Sequence, residues 1–135
     1  MLRKGGGAIV IASPMTGDLV ADPGESAYAL TKAALVGLTK ALSIEFASRN
    51  ILVNCTQLGY ARTHMAEAIA KQSCPDDPER AFKDMAKGIT IKRLASPDEA
   101  GELFAFISSD EASYITSSQF VIDGVTTIRE SNMGV

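Results

Sequence analysis

Two apolar runs, Ala8-Ile9-Val10-Ile11-Ala12 and Ile51-Leu52-Val53-Asn54-Cys55, constrain this chain more than any other feature. Both are rich in β-branched residues, and neither alternates apolar with polar. A strand of that kind is buried on both faces, as in a parallel sheet with helices on either side. Phe120-Val121-Ile122 is a shorter third run. Parallel neighbours need a crossover of about a dozen residues or more, and the intervals 13–50 and 56–119 both allow one. The runs therefore predict an α/β fold built on a parallel sheet.

The first interval holds a long helix, roughly 27–48. Leu35, Leu38, Leu42 and Phe46 make one apolar stripe, and Ala29, Ala33, Val36 and Ile44 make another. A helix apolar on two sides needs a second partner beyond its own sheet, so a homo-oligomer through this helix is expected. Late in the second interval, Ser96 caps a helix with Pro97 at its first position and Glu99 three residues on. Ala100, Leu103, Phe104 and Ile107 then lie on one face. Between Thr63 and Arg93 runs a charged stretch of mixed sign, broken by Cys74-Pro75 and Pro78. It reads as one or two short surface helices flanking a mobile loop. No repeat or linker divides residues 1–135, which form a single domain of order β-α-β-α-α-β.

Composition removes several classes of function. With 46% hydrophobic residues the chain is too apolar for a disordered tail, and its net charge of −3 argues against a nucleic-acid partner. No apolar run approaches the ~18 residues of a membrane span. The basic start Met1-Leu2-Arg3-Lys4 is followed by too short an apolar run for a signal peptide. The single His64 cannot build a histidine-rich metal site, and no metal is expected. Cys55 and Cys74 lack paired or ligand spacing and read as free thiols of a cytoplasmic protein. Zinc enzymes, two-histidine hydrolases and disulfide scaffolds drop out.

Open parallel sheets bind ligands beyond the carboxyl ends of their strands. Segments 13–25, 57–63 and 123–127 are expected to meet there. Tyr28 and Lys32, four residues apart at the start of the long helix, share one face. A free phenol titrates near 10, too high for efficient proton exchange at neutral pH, and a nearby ammonium favours its anion. Most tyrosine–lysine pairs at this spacing are only surface neighbours, so spacing alone does not establish chemistry.

The surrounding residues add to it. Tyr28-Ala29-Leu30-Thr31-Lys32-Ala33-Ala34-Leu35-Val36-Gly37-Leu38-Thr39-Lys40 strongly resembles the active-site helix of the short-chain dehydrogenase/reductase family. The resemblance continues through Ile51-Leu52-Val53-Asn54, Gly59-Tyr60-Ala61-Arg62-Thr63, Arg93-Leu94-Ala95-Ser96-Pro97-Asp98-Glu99 and Val121-Ile122-Asp123-Gly124. Within that family, 16–25 is most similar to the UcpA-type oxidoreductases. The resemblance implies a Rossmann-type three-layer sandwich and an NAD(P)-dependent oxidoreductase acting on a small carbonyl or alcohol. It implies Tyr28 as acid/base and Lys32 as the residue that assists it and bonds the nicotinamide ribose. It further implies Thr63 and the Ala61 backbone as contacts of the nicotinamide carboxamide, and 65–92 as a substrate lid.

The chain also departs from the family. It matches the C-terminal half, and the family's glycine-rich phosphate loop has no counterpart, since Gly5-Gly6-Gly7 precedes the first strand. The expectation is a partial domain of a longer protein, its first strand left as an apolar edge. Pro14 stands at the family's catalytic serine, with Ser13 beside it on the opposite strand face unless the strand end slips. Leu58 replaces a proline, and Ser117 and Val125 replace glycines, a poor fit wherever φ must be positive. Two readings result: an oxidoreductase active only with the family's upstream half, or a catalytically incompetent remnant that is non-enzymatic or acts only as a subunit of an oligomer. Lesser features have ordinary readings. His64 is a solvated loop residue, Cys55 is packed and Cys74 exposed. Asp76, Asp77, Glu79 and Asp84 form a solvated face, and Met65, Met85 and Met133 border a pocket or simply pack.

Overall fold

Strands β1 (Gly7–Pro14), β2 (Ile51–Leu58) and β3 (Gln119–Ile122) form one parallel sheet in that order. A computed structural model describes residues 1–3 and 5–128. Register runs unbroken from Gly7↔Ile51 to Pro14↔Leu58 and from Cys55↔Gln119 to Leu58↔Ile122. Pro14, Leu58 and Ile122 therefore end level, giving the sheet one flush carboxyl edge.

Burial separates the strands. The central β2 is buried at Ile51 and from Val53 through Gln57. By contrast, Ala8–Ala12 is at most half-buried, which corrects the expectation of a run covered on both faces. β1 is an edge strand whose outer side pairs with no strand among the described residues. Pro14 is tolerated there because an edge strand can lack one ladder N–H. The strands also run past their apolar cores into buried polar residues, most of them offset by hydrogen bonds, while the Thr56 hydroxyl has no partner among the described residues. The Asn54 amide donates to the Ile115 carbonyl at 2.9 Å and accepts from Ser118 N–H at 3.0 Å.

Helix α1 (Ser26–Phe46) fills the first crossover and ends in a 3-10 turn, Ala47–Arg49, with Asn50 left-handed at φ 55°. Its buried residues are Val36, Thr39 and Ser43. Thr39 and Ser43 belong to neither apolar stripe of the sequence. They let the helix lie close to the sheet, and their hydroxyls are satisfied: Thr39 donates to Leu35 O at 2.8 Å, while Ser43 lies 2.7 Å from Thr39 O and 2.9 Å from Val53 O.

The second crossover holds three helices, one more than the expected order: α2 (His64–Ser73), α3 (Pro78–Gly88) and α4 (Pro97–Ile107). Thr63 and Asp77 each accept a backbone N–H at a helix start, so the break at 74–77 makes two capped helices. His64 opens α2 rather than lying in a loop, and Cys74 is half-buried rather than exposed. The Ser96–Glu99 capping box forms as its spacing requires. A second 3-10 turn, Asp110–Ala112, leads toward β3. No helix among the described residues is long and apolar enough to cross a membrane. Ser117 and Val125 have φ of 60° and 63°, the left-handed conformation their side chains fit poorly.

Candidate active site

A cleft of about 920 Å³ opens over the flush carboxyl edge of the sheet. Ser13, Pro14, Leu58 and Gly59 form its floor, α1 supplies Tyr28, and α2 and α3 wall the far side. Of the three segments expected to meet, 13–25 and 57–63 do so. Segment 123–127 lies behind them instead. Asp123 and Gly124 border a separate cavity of about 70 Å³, and Gly59 packs so tightly on Asp123 that an added Cβ would sit 2.7 Å from its Cα.

Tyr28 lies in the first turns of α1 and is 47% exposed, its ring facing the cleft. The Lys32 Nζ sits 5.3 Å from the ring centroid, as the four-residue spacing requires. Lys32 itself does not line the cleft wall. Gly17 permits the loop after β1 to press on this helix. At φ 102° it lies where a Cβ would fall 2.4 Å from Ala29 O.

Ser13 is buried on the α1 side, its hydroxyl 3.5 Å from Lys32 O and 3.4 Å from Pro14 O. Register is intact through Pro14, so no strand slip exchanges the two faces. Thr63 and Ala61 both line the cleft. The Thr63 hydroxyl accepts from Ala66 N–H at 3.2 Å, which leaves its own proton to donate, and Ala61 bridges to Ala95. Met65 and Met85 line the cleft, whereas Met133 lies outside the described residues. No His/Cys/Asp/Glu group suited to a metal occurs among the described residues.

Three arrangements were not legible in the sequence. Arg62 ties α2 and α3 together: its guanidinium bonds both Glu79 oxygens, lies 3.5 Å from Glu67 and stacks 4.4 Å from the Phe82 ring centroid. Arg62 holds the Glu79 carboxyl below the usual range, so this residue is not merely part of a solvated face. Beneath the floor, buried Gln57 donates to Asp18 and to Gln119 at 3.3 Å. Asp123 organises the turn after β3, accepting the amides of Val125, Thr126 and Thr127 and the Thr127 hydroxyl. Burial pushes its carboxyl up, but the Thr127 hydroxyl and these amides outweigh that and leave it below the ordinary aspartate value.

Comparison with known proteins gives the family and the fold. The family model described as Enoyl-(Acyl carrier protein) reductase matches residues 1–126. Oxidoreductase UcpA of Salmonella typhimurium is 58% identical over 131 residues, which cover 97% of this chain and 50% of that protein. Human dehydrogenase/reductase SDR family member 4 is 37% identical over 129 residues, covering 96% and 44%. L-sorbose reductase from Gluconobacter frateurii, crystallised with NADPH and L-sorbose, superposes with a TM-score of 0.87 at 32% identity, covering 96% of this chain and 50% of that one. The chain spans about half the length of the curated relatives it matches.

Proposed function

The chain belongs to the short-chain dehydrogenase/reductase family, and on that premise we propose that its cleft serves NAD(P)-dependent hydride transfer between a carbonyl and an alcohol. The observation that carries the proposal is the Tyr28–Lys32 pair at the mouth of a parallel sheet. Tyr28 gives its hydroxyl proton to the carbonyl oxygen as that oxygen gains charge, and takes it back in the reverse direction. The Lys32 ammonium, against the ring, stabilises the oxygen that has lost its proton. Neither Pro14, which has no hydroxyl, nor Ser13, which is turned toward α1, shares this work.

The residues present fit the nicotinamide end of such a cofactor. Tyr28, Ala61 and Thr63 line the same cleft, with an apolar floor for a flat ring and a Thr63 proton free for a carboxamide. When bound, the nicotinamide supplies or accepts the hydride. Contact between Lys32 and a ribose requires its side chain to leave the Tyr28 ring. The α2–α3 lid excludes water and is held by Arg62. Cys55 and Cys74, both free, fit a reducing cytoplasmic setting.

The test is carbonyl-dependent oxidation of NADH or NADPH, lost in Tyr28→Phe. Turnover unchanged in that variant removes Tyr28 from the role. A second reading is favoured by the unpaired outer side of β1: the chain works only within an assembly that covers that edge. Titration with NADH and NADPH separates the two. Micromolar binding by the 135-residue chain supports the first, and none supports the second.

A further inference from the structure

We infer that the cleft takes a neutral carbonyl compound with an aliphatic chain and turns away anionic and polyhydroxylated ones. The inference rests on the cleft being a reductase site and names its substrate class. On α2, Met65 and Ile69 are 74% and 56% exposed, and both line the cleft. They lie four residues apart, so one apolar helix face looks into the opening. Met85 of α3 faces the same space. Large apolar side chains left wet around a concave site gain most from an apolar ligand.

Charge narrows the choice. Among the described residues the lining holds no Lys, Arg or His, and its carboxylates are Asp22 and Glu25. Arg62, between the lining residues Ala61 and Thr63, is occupied by Glu67, Glu79 and the Phe82 ring. A carboxylate or phosphate on the substrate would meet two like charges among the lining residues and no cation there. Along Met65, Ile69 and Met85 a polyol would bury hydroxyls with no donor or acceptor from those side chains to replace water. A neutral ketone needs one hydrogen bond, at its carbonyl, and Tyr28 is placed to give it.

The methionines report on this directly. With methyl-13C methionine, titration of the chain with 2-octanone should shift the Met65 and Met85 methyls saturably and leave Met1 unmoved. Octanoate should require at least about tenfold higher concentration, and L-sorbose should move neither. In Asp22→Asn/Glu25→Gln, octanoate should tighten severalfold while 2-octanone stays as it was. Met65→Glu/Ile69→Glu, both changes on exposed positions, should abolish the 2-octanone response. The inference is overturned if octanoate or L-sorbose matches 2-octanone, or if 2-octanone leaves Met65 and Met85 unmoved. An octanoate response unchanged by the neutral pair, or a 2-octanone response that survives the glutamate pair, also overturns it. No cofactor or turnover enters the titration, so its outcome is independent of whether Tyr28 proves catalytic.

Discussion

Lys32 places its ammonium 5.3 Å from the centre of the Tyr28 ring, one helical turn along α1. The contact needs only the ring, so Tyr28→Phe keeps the packing and removes the single group proposed to carry a proton. Turnover should fall by about 10²–10⁴-fold, the usual contribution of a positioned acid or base, with KM little changed. Lys32→Met should also lower kcat, by less, because the hydroxyl remains. Steady-state kinetics of the two variants against the parent check both expectations.

Val125 holds φ at 63°, where a β-branched residue is crowded by its own backbone. Its N–H bonds Asp123 Oδ1 at 2.9 Å and its carbonyl accepts from the Thr90 hydroxyl at 2.7 Å, so the turn holds it there. Val125→Gly keeps both bonds and removes the clash. The relief of about 1–2 kcal/mol exceeds the backbone entropy glycine adds, leaving a net gain of roughly 1 kcal/mol. Thermal unfolding should rise by about 4 °C. Val125→Ala should gain less, since the Cβ stays.

Glu99 gives a pH dependence whose sign follows from its partners. Arg93 and the Ser96 cap hold its carboxyl down to about 2, from an ordinary value of 4.5. Being lower in the folded state, it stabilises the fold fully above pH 4.5 and loses that contribution as pH falls toward 2. Glu99→Gln should therefore flatten the fall in stability between pH 5 and pH 2 and leave the slope above pH 5 unchanged. Urea midpoints measured across that range check it.

Arg62 ties segment 59–63 to both α2 and α3, through Glu67 on α2 and through Glu79 and Phe82 on α3. The ion pairs are solvent-exposed and contribute little to global stability. Their effect is local: Arg62→Ala should raise amide exchange in α2 and α3 while β2 stays protected. Arg62→Lys should fail to restore protection, because a point charge cannot bond both Glu79 oxygens and stack on Phe82 together.

The legible parts of this molecule depend on near neighbours. Tyr28 and Lys32 meet because four residues make one helical turn, and the Ser96–Glu99 cap forms from a three-residue spacing. β-branched runs announced where β1 and β2 begin. Their ends were hidden, because Ser13 and Gln57 are polar residues buried by partners that only folding supplies. The Arg62 clamp was hidden for the same reason: Glu79 and Phe82 reach it only when α3 folds back over the cleft. The buried face of α1 misled the apolar pattern, since close packing on a sheet selects small hydroxyl side chains that bond the helix backbone and, at Ser43, the neighbouring strand.

That same helix keeps its apolar surplus on the outside. Leu30, Leu38 and Ile44 are 73%, 46% and 85% exposed, with Ala34, Gly37 and Ala41 exposed on the same face. An apolar strip several turns long with small residues along its centre lets a second helix approach closely, and a self-complementary face suits a two-fold dimer. We propose that two copies of the chain pair through it. Sedimentation at micromolar concentration should give a dimer, and Leu38→Lys, which places a charge at the centre of the strip, should give a monomer with unchanged far-ultraviolet circular dichroism. A monomeric parent, or a dimer that survives Leu38→Lys, would assign the strip to another partner.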